Sequence, residues 1–194
     1  MSVKVDQAQR SETEPRDLAE RLRRGKASAL QDAIAIYSRR LHRLAWRLLG
    51  WRGDVEDVVQ DVFVAMIENA HKFRGESQVG TWLVRVTINR CRRERRRRML
   101  RRLLPWHSSF EASKTELAAE QPLGNADRAQ LVHDALRKLP SKSQEVLVLR
   151  YLEGMDLDQV AQVLGASRGA VDVRLHRARA AVAKIMNQDV EHER

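Results

Sequence analysis

The spacing of apolar residues constrains the fold of this 194-residue chain more than any other feature. Apolar side chains recur every three or four residues along most of the chain, which places them on one face of an α-helix. The β-branched residues follow the same helical period and do not alternate with polar residues, as they would in half-buried strands. Two stripes stand out: Leu18, Leu22, Leu30, Ile34, Tyr37, Leu41, Leu44 and Leu48, then Val55, Val58, Val59, Val62, Phe63, Met66 and Ile67. The pattern predicts an all-α protein with no strands.

Glycines and capping residues divide the first part of the chain into helices. Gly25 interrupts the first apolar stripe, and Gly50 and Gly53 end it, because glycine is unfavourable inside a helix and favourable just after one. The second helix is expected to begin near Asp54. Thr81 is expected to cap a third helix, which continues into an arginine-rich segment.

Four short helices are predicted from residue 127 onwards. Ser141 and Gln144 have the spacing of a capping box at the start of the second of them. Gly165 suits the left-handed position that ends the third helix, and Ser167 suits the N-cap of the fourth. A short helix, a three-residue turn and a longer helix with a basic outer face are typical of a DNA-binding helix-turn-helix, although an ordinary helical hairpin gives a similar pattern.

Composition divides the chain into two helical domains joined by a flexible linker. Residues 1–15 are polar, carry both signs of charge and predict a disordered tail. Residues 16–104 form the first predicted domain, and residues 127–188 form the second. Between them, residues 105–126 are rich in proline, serine and glutamate and only weakly periodic, which favours a linker.

The charge of the chain is concentrated in one segment. From Arg92 to Arg102 there are eight arginines and one glutamate, a net +7, whereas the whole chain carries +10. Mutual repulsion makes such a cluster costly unless a polyanion neutralises it, and nucleic acid is the usual one. The alternative is a solvated helix end. The helix-turn-helix pattern elsewhere in the chain favours nucleic acid.

Cysteine content and hydropathy indicate the cellular compartment in which the protein is expected. The single cysteine, Cys91, excludes an internal disulfide and fits a reducing compartment; it is either a redox-active thiol or an inert half-buried one. No apolar run approaches the eighteen residues of a membrane-spanning helix, and the first fifteen residues have no secretory apolar core. A cytoplasmic protein without membrane insertion is expected. No cofactor is indicated by the sequence.

The second helix carries an acidic face whose role the composition leaves open. Asp54, Asp57 and Asp61 recur at i, i+3 and i+7. Carboxylates at that spacing serve a metal, acid–base chemistry, a basic protein partner or simply solvation. A metal-dependent nuclease would need a second set of ligands, and the histidines are scattered.

The role of Trp82 is also open: it is either a stacking platform for unpaired bases beside the arginine run or a core residue.

Three motifs together resemble a bacterial sigma factor of the extracytoplasmic function class, a small two-domain branch of the sigma-70 family. The resemblance covers about residues 16–188. The first motif is Glu-Asp-Val-Val-Gln-Asp-Val-Phe at residues 56–63. The second is Phe-Arg-Gly-Glu-Ser at residues 73–77, followed by Thr-Trp-Leu at 81–83 and Asn89. The third joins residues 139–140, 149–154, Ala161, Gly165, Val171 and 174–179.

The resemblance implies promoter-specific transcription initiation without catalysis by this chain. In the family, the helix matching the acidic face docks on core RNA polymerase, and the positions carried over are Asp57, Gln60, Asp61 and Phe63. Capture of a flipped base and of the melted strand at the −10 element is carried over to Arg74, Gly75, Ser77, Trp82, Arg85, Asn89, Arg92, Arg93 and Arg96. Contacts to the −35 element are carried over to Arg150, Arg168, Asp172, Val173, His176 and Arg177.

The expected partners are core RNA polymerase, promoter DNA and an anti-sigma factor.

Two positions depart from the family pattern. Asp172 stands where a basic residue is usual; its carboxylate would accept from a cytosine amino group or pair with Arg168 or Arg174. Arg93 stands where an acidic residue is common. The runner-up is a helix-turn-helix regulator that never joins polymerase, which leaves the acidic face unexplained.

Overall fold

The computed structural model describes residues 17–50, 52–72, 78–103 and 134–192, and these residues contain helices and no strands. The prediction of an all-α protein is therefore confirmed. The predicted tail at residues 1–15 and the predicted linker at residues 105–126 lie outside the described residues. In the part of the chain that is described, no helix combines the length and apolarity that crossing a membrane requires.

The N-terminal half, taken here as residues 17–103, is a bundle in which α2, α3 and α4 pack pairwise and α1 packs on α2. Its helices are α1 (Leu18–Arg23), α2 (Ala27–Leu49), α3 (Arg52–Asn69) with a 3₁₀ turn at Ala70–Lys72, and α4 (Val79–Leu103). Two of the three predicted glycine breaks, Gly25 and Gly50, are found, whereas Gly53 lies inside α3, which begins at Arg52. Gly25 and Gly50 have φ values of +68° and +73°, and the Gly50 N–H donates to the Trp46 carbonyl at 2.8 Å.

The C-terminal half, taken as residues 134–192, begins with a helical turn at residues 134–137. It continues with α5 (Ser141–Leu147), a π-helical segment (Val148–Leu152), α6 (Leu157–Leu164) and α7 (Arg168–His192). Helix α7 packs on both α5 and α6. Its residues Val171, Leu175 and Ala178 are spaced four and three apart and are buried on one face of the helix.

The helix-turn-helix is formed by α6, the turn and α7. Gly165 ends α6 with φ +64° and ψ 44°, and its N–H donates to the Ala161 carbonyl. The hydroxyl of Ser167 accepts from the Ala170 N–H at 3.2 Å, which confirms the predicted cap of α7. At the other end of α6, Asp156 and Gln159 form a reciprocal capping box.

Two predicted caps are wrong. Thr81 lies inside α4, which begins two residues earlier at Val79, and its side chain is buried. At α5 the N-cap is Pro140 with no side-chain cap. Gln144, the expected capping partner of Ser141, is buried and directed to the N-terminal half instead. In both cases tertiary burial competes successfully with a local capping pattern.

The two apolar stripes are buried in large part, with one exposed member in each. Ile34 and Ile67 are exposed on α2 and α3, whereas their neighbours Leu41, Leu44 and Met66 are completely buried. The buried residues of both halves belong to one continuous apolar cluster, because α4 contacts α6 and α2 contacts α5. The halves are therefore packed against each other in this structure.

Candidate nucleic-acid interface

The acidic face predicted on α3 is exposed. Asp57, Gln60 and Asp61 are all exposed, while Val55, Val58, Val59 and Val62 on the opposite side are buried. The same face continues into apolar residues: Val64 is 49% exposed and Ile67 is 57% exposed. Asp61 makes a surface ion pair of 3.3 Å with Arg90 on α4, a type of contact that contributes little. An acidic face that continues into apolar side chains suits a protein partner with a basic and apolar surface.

The other predicted members of this site support the helix. Phe63 is partly buried and packs on the apolar core of the bundle. Asp54 pairs with Arg98 of α4, so α3 and α4 are joined by charge at their ends. Two of the three carboxylates that a nuclease would need, Asp54 and Asp61, are thus engaged by arginines. Among the described residues, no group of three histidine, cysteine or acidic side chains is arranged to hold a metal ion.

Helix α4 presents part of the predicted −10 set to solvent. Arg85, Asn89, Arg93 and Arg96 are exposed along its length. Trp82 is partly buried and packs against the core, so its ring also serves the bundle. The predicted pocket residues Arg74, Gly75 and Ser77 lie outside the described residues. The exposed arginines form a basic face that fits a polyanion.

Arg92 differs from its neighbours because a carboxylate of the C-terminal half already binds it. Its Nε donates to Glu145 Oε1 at 3.1 Å and its Nη2 donates to Glu145 Oε2 at 2.7 Å, a bidentate arrangement. This hydrogen bonding raises the pKa of Arg92. Arg95 Nη1 lies 3.6 Å from Glu145 Oε1. The Glu145 side chain is only 3% exposed, so its charge is held almost entirely by these two arginines.

A second glutamate of the C-terminal half binds two arginines of α2. Arg40 Nε donates to Glu153 Oε2 at 2.8 Å, and Arg47 Nη1 donates to Glu153 Oε1 at 3.2 Å. The Glu153 side chain is 4% exposed. Burial lowers the pKa of Arg47, and Glu153 opposes that shift. Together, Arg40, Arg47, Arg92 and Arg95 with Glu145 and Glu153 are called here the carboxylate–arginine interface.

Gln144 joins the two parts of this interface. Its Nε2 donates to the Arg47 carbonyl at 2.8 Å, and its Oε1 accepts from Arg95 Nη2 at 2.5 Å. Arg95 also donates to the carbonyl of Leu48 near the end of α2. Burial is the main cause that lowers the pKa of Arg95. The C-terminal half is therefore held to both α2 and α4 by a hydrogen-bonded network.

The π-helical segment explains how two glutamates eight residues apart face the same neighbour. In a regular α-helix, residues eight apart point about 80° away from each other. Here the Glu153 N–H donates to the Val148 carbonyl at 2.9 Å, an i to i+5 bond that underwinds the last turn. Glu145 and Glu153 can then both contact the N-terminal half. Arg150 within this segment donates to the Met155 carbonyl at 2.7 Å and stabilises the following turn.

The predicted −35 residues on α7 form an exposed face. Asp172, Val173, His176 and Arg177 are all exposed. Arg168 pairs with Asp158 of α6 at 3.0 Å, so it does not use Asp172 as its partner. Arg150 is the exception in this set, because its guanidinium is partly buried against the turn.

Cys91 is an inert thiol in this structure. It is buried, and desolvation by burial raises its pKa to about 12. Nearby Arg95 opposes that shift, but desolvation is the larger effect. A redox-active thiol, the alternative that the sequence allows, requires a lowered pKa and exposure, and Cys91 has neither.

The sequence patterns missed Arg40, Arg47, Glu145 and Glu153, and they included Arg95 only as a member of the arginine run. One signal was available for the glutamates. Glu145 lies four residues before the buried Leu149 and therefore on the apolar face of its helix. An acidic residue on an apolar face has to be paired if it is buried.

Comparison with known proteins follows the division into two halves. Residues 33–101 match the family model for sigma-70 region 2, and residues 129–182 match the model for sigma-70, region 4. The chain is 34% identical over 147 residues to the RNA polymerase sigma factor CnrH of Cupriavidus metallidurans, covering 71% of this chain and 76% of that protein. It is 26% identical over 179 residues to the ECF RNA polymerase sigma factor SigW of Bacillus subtilis, and the match covers 84% of this chain and 91% of that protein.

Two solved structures have a similar fold. CnrH in complex with the cytosolic domain of CnrY has a TM-score of 0.67 and 28% identity, covering 89% of this chain and 96% of that chain. The sigma factor RpoE in complex with the anti-sigma factor NepR from Bartonella quintana has a TM-score of 0.69 and 20% identity, covering 83% and 98%. The second likeness concerns the fold alone.

Proposed function

Because the chain belongs to the sigma-70 family, in the extracytoplasmic function branch of its sigma factors, we propose that it binds core RNA polymerase and starts transcription at specific promoters. It would read the −35 element with α7, read the −10 element with the N-terminal half and help to melt the DNA there. The chain supplies contacts and no catalysis. Residues 16–104 and 127–188 are the proposed functional domains.

One observation carries this proposal: the chain exposes two different faces of opposite charge. The face of α3 with Asp57, Gln60 and Asp61 is acidic and suits a protein partner. Helix α7 is basic overall, because among its described side chains Arg168, Arg177 and Arg179 are exposed against one exposed acid, Asp172. DNA repels the first face and attracts the second. A helix-turn-helix regulator that acts without polymerase has no use for the acidic face.

Joining two DNA-reading halves in one chain makes weak contacts sufficient. Each half raises the effective concentration of the other at the promoter, so neither needs high affinity alone. Arg85, Asn89, Arg93 and Arg96 are the exposed members of the predicted −10 set on α4, and they are available to the melted strand or its phosphates. Capture of an unstacked base by the residues from Arg74 to Ser77 would favour melting.

An anti-sigma protein is a further proposed partner. The similar structure of CnrH contains the cytosolic domain of a second protein, CnrY. A protein that covers the acidic face of α3 or the basic face of α7 would prevent binding of polymerase or DNA. Exposed Val64 and Ile67 beside the acidic face offer apolar area for such contacts.

The test uses purified core polymerase, a set of candidate promoters and the Asp57→Lys variant. We expect run-off transcripts that depend on this protein. Asp57→Lys should weaken core binding roughly 100-fold, because opposed like charges at an interface cost several kcal/mol. Glu20→Lys on α1 is the matched control, since it reverses a carboxylate on a different helix. DNA binding without recruitment of polymerase would favour the regulator instead, and full core binding by Asp57→Lys would remove the docking assignment.

A further inference from the structure

The carboxylate–arginine interface contains more positive charge than its own glutamates need. Each glutamate is bound by two arginines, Glu145 by Arg92 and Arg95 and Glu153 by Arg40 and Arg47. Each site is therefore an anion site with a net charge of +1 when the carboxylate is present. Pairs of guanidinium groups around one anion are the arrangement that proteins use for carboxylates and phosphates alike.

A DNA phosphodiester has the same charge as the carboxylate that occupies each site. Both anions carry one negative charge and present two terminal oxygens to a guanidinium fork. Arg95 contributes to the Glu145 site by charge alone: its buried Nη1 lies 3.6 Å from Glu145 Oε1 and makes no hydrogen bond within the described residues, so this donor remains available to another anion.

The sites adjoin the exposed basic face of α4. Arg92 and Arg95 are one turn apart on this helix and alternate with exposed Arg93 and Arg96. A DNA strand that follows the exposed arginines would reach the two covered ones next. Arg40 and Arg47 on α2 extend the same basic region, because Arg95 bonds to the carbonyl of Leu48 close to Arg47 in the sequence.

We propose that Arg40, Arg47, Arg92 and Arg95 form a binding surface for nucleic-acid phosphates, and that Glu145 and Glu153 occupy it in a closed form of the protein. DNA and the C-terminal half then compete for the same four guanidinium groups. This inference deepens the proposed function and rests on it for the identity of the DNA as promoter. The closed form lowers the apparent affinity of the N-terminal half for DNA by the fraction of molecules that are open.

The first test uses the unaltered full chain and carboxyl footprinting. Glu145 and Glu153 are almost completely buried, so a carbodiimide with an amine label should modify them slowly in the free protein. A random-sequence DNA duplex should increase the labelling of both, read by mass spectrometry, while partly exposed Glu20 and exposed Glu68 stay at their free rates. Unchanged protection of Glu145 and Glu153 at saturating duplex overturns the proposal.

The second test measures affinity for the same duplex by fluorescence anisotropy at fixed low salt, because phosphate contacts weaken as salt rises. The double variant Glu145→Gln and Glu153→Gln should bind DNA about tenfold more tightly than the unaltered chain, because the closed form that competes with DNA is no longer stabilised. The control, Glu20→Gln with Glu68→Gln, makes the same change in net charge away from the interface.

Neutralising the arginines distinguishes the effect of a phosphate-binding surface on DNA affinity from the effect of a change in net charge. Adding Arg47→Gln and Arg92→Gln to the double glutamine variant should remove the tenfold gain. Equal binding by the double variant and its control, or retention of the gain without the arginines, overturns the proposal. No polymerase or promoter is involved, so these outcomes are independent of the transcription test: a competing interface in a chain that starts no transcription would refute the proposed function alone.

Discussion

Two glycines four residues apart in the helix-turn-helix are predicted to respond to alanine in opposite directions. Gly165 has φ +64° and ends α6, whereas Gly169 lies in the first turn of α7 without a positive φ. A Cβ atom added at either position meets nothing within 4 Å. Packing therefore contributes equally little to the two substitutions, and any difference in stability comes from the backbone.

The magnitudes follow from the two backbone conformations. An L-residue in the left-handed region costs about 1–2 kcal/mol, so Gly165→Ala should lower the free energy of unfolding by that amount. Glycine inside a helix costs about 0.5–1 kcal/mol relative to alanine, and near the helix start the lower value applies, so Gly169→Ala should raise it by about 0.5 kcal/mol. The two variants should differ by roughly 2 kcal/mol although their composition is identical.

Urea denaturation followed by circular dichroism measures this difference. The midpoint should move down for Gly165→Ala and up for Gly169→Ala, with the same dependence on urea in both, because the surface exposed on unfolding is unchanged. Shifts of the same sign, or no loss of stability in Gly165→Ala, would refute the assignment of Gly165 to a required left-handed cap.

Two further predictions concern buried groups. Leu175→Ala should lower the free energy of unfolding by about 2–5 kcal/mol because it empties a buried position on α7, whereas Val173→Ala on the exposed face should change it by less than about 0.5 kcal/mol; thermal denaturation compares them. Cys91 should resist a disulfide reagent at pH 8 until denaturant is added. Its raised pKa contributes stability that is complete below about pH 9 and is lost towards about pH 12. Between these two values only the thiol of the unfolded chain ionises. The free energy of unfolding should therefore fall with a slope approaching about 1.4 kcal/mol per pH unit. Cys91→Ala should lack this part of the pH dependence, and equal slopes in the two proteins would contradict it.

The sequence predicts the helices well because their causes are local. An apolar face repeats every turn, and a left-handed glycine needs only its own backbone, so Gly25, Gly50 and Gly165 were predictable as breaks. The exposed acidic face was predictable for the same reason, since Asp57 and Asp61 lie opposite a continuous apolar stripe.

The contacts between the halves were not predictable from local pattern. Gln144 has the spacing of a capping residue, but burial against the N-terminal half gives its amide two other partners. Glu153 contacts Arg40 across a sequence separation of 113 residues, and its direction depends on one π turn that no propensity scale indicates. The sequence predicts that Arg92 contacts nucleic acid, whereas the pairing of Arg92 with Glu145 could not be predicted from local pattern.

The carboxylate–arginine interface also limits how freely the two halves can be recombined. Its anions belong to one half and its cations to the other, so a hybrid factor built from two relatives inherits them separately. Without acids at the positions of Glu145 and Glu153, the closed form would hold Arg47 and Arg95 in a largely buried contact with no counter-charge, which destabilises that form by several kcal/mol for each buried ion. When promoter specificities are exchanged between such proteins, these acids and arginines should be transferred together as a matched set.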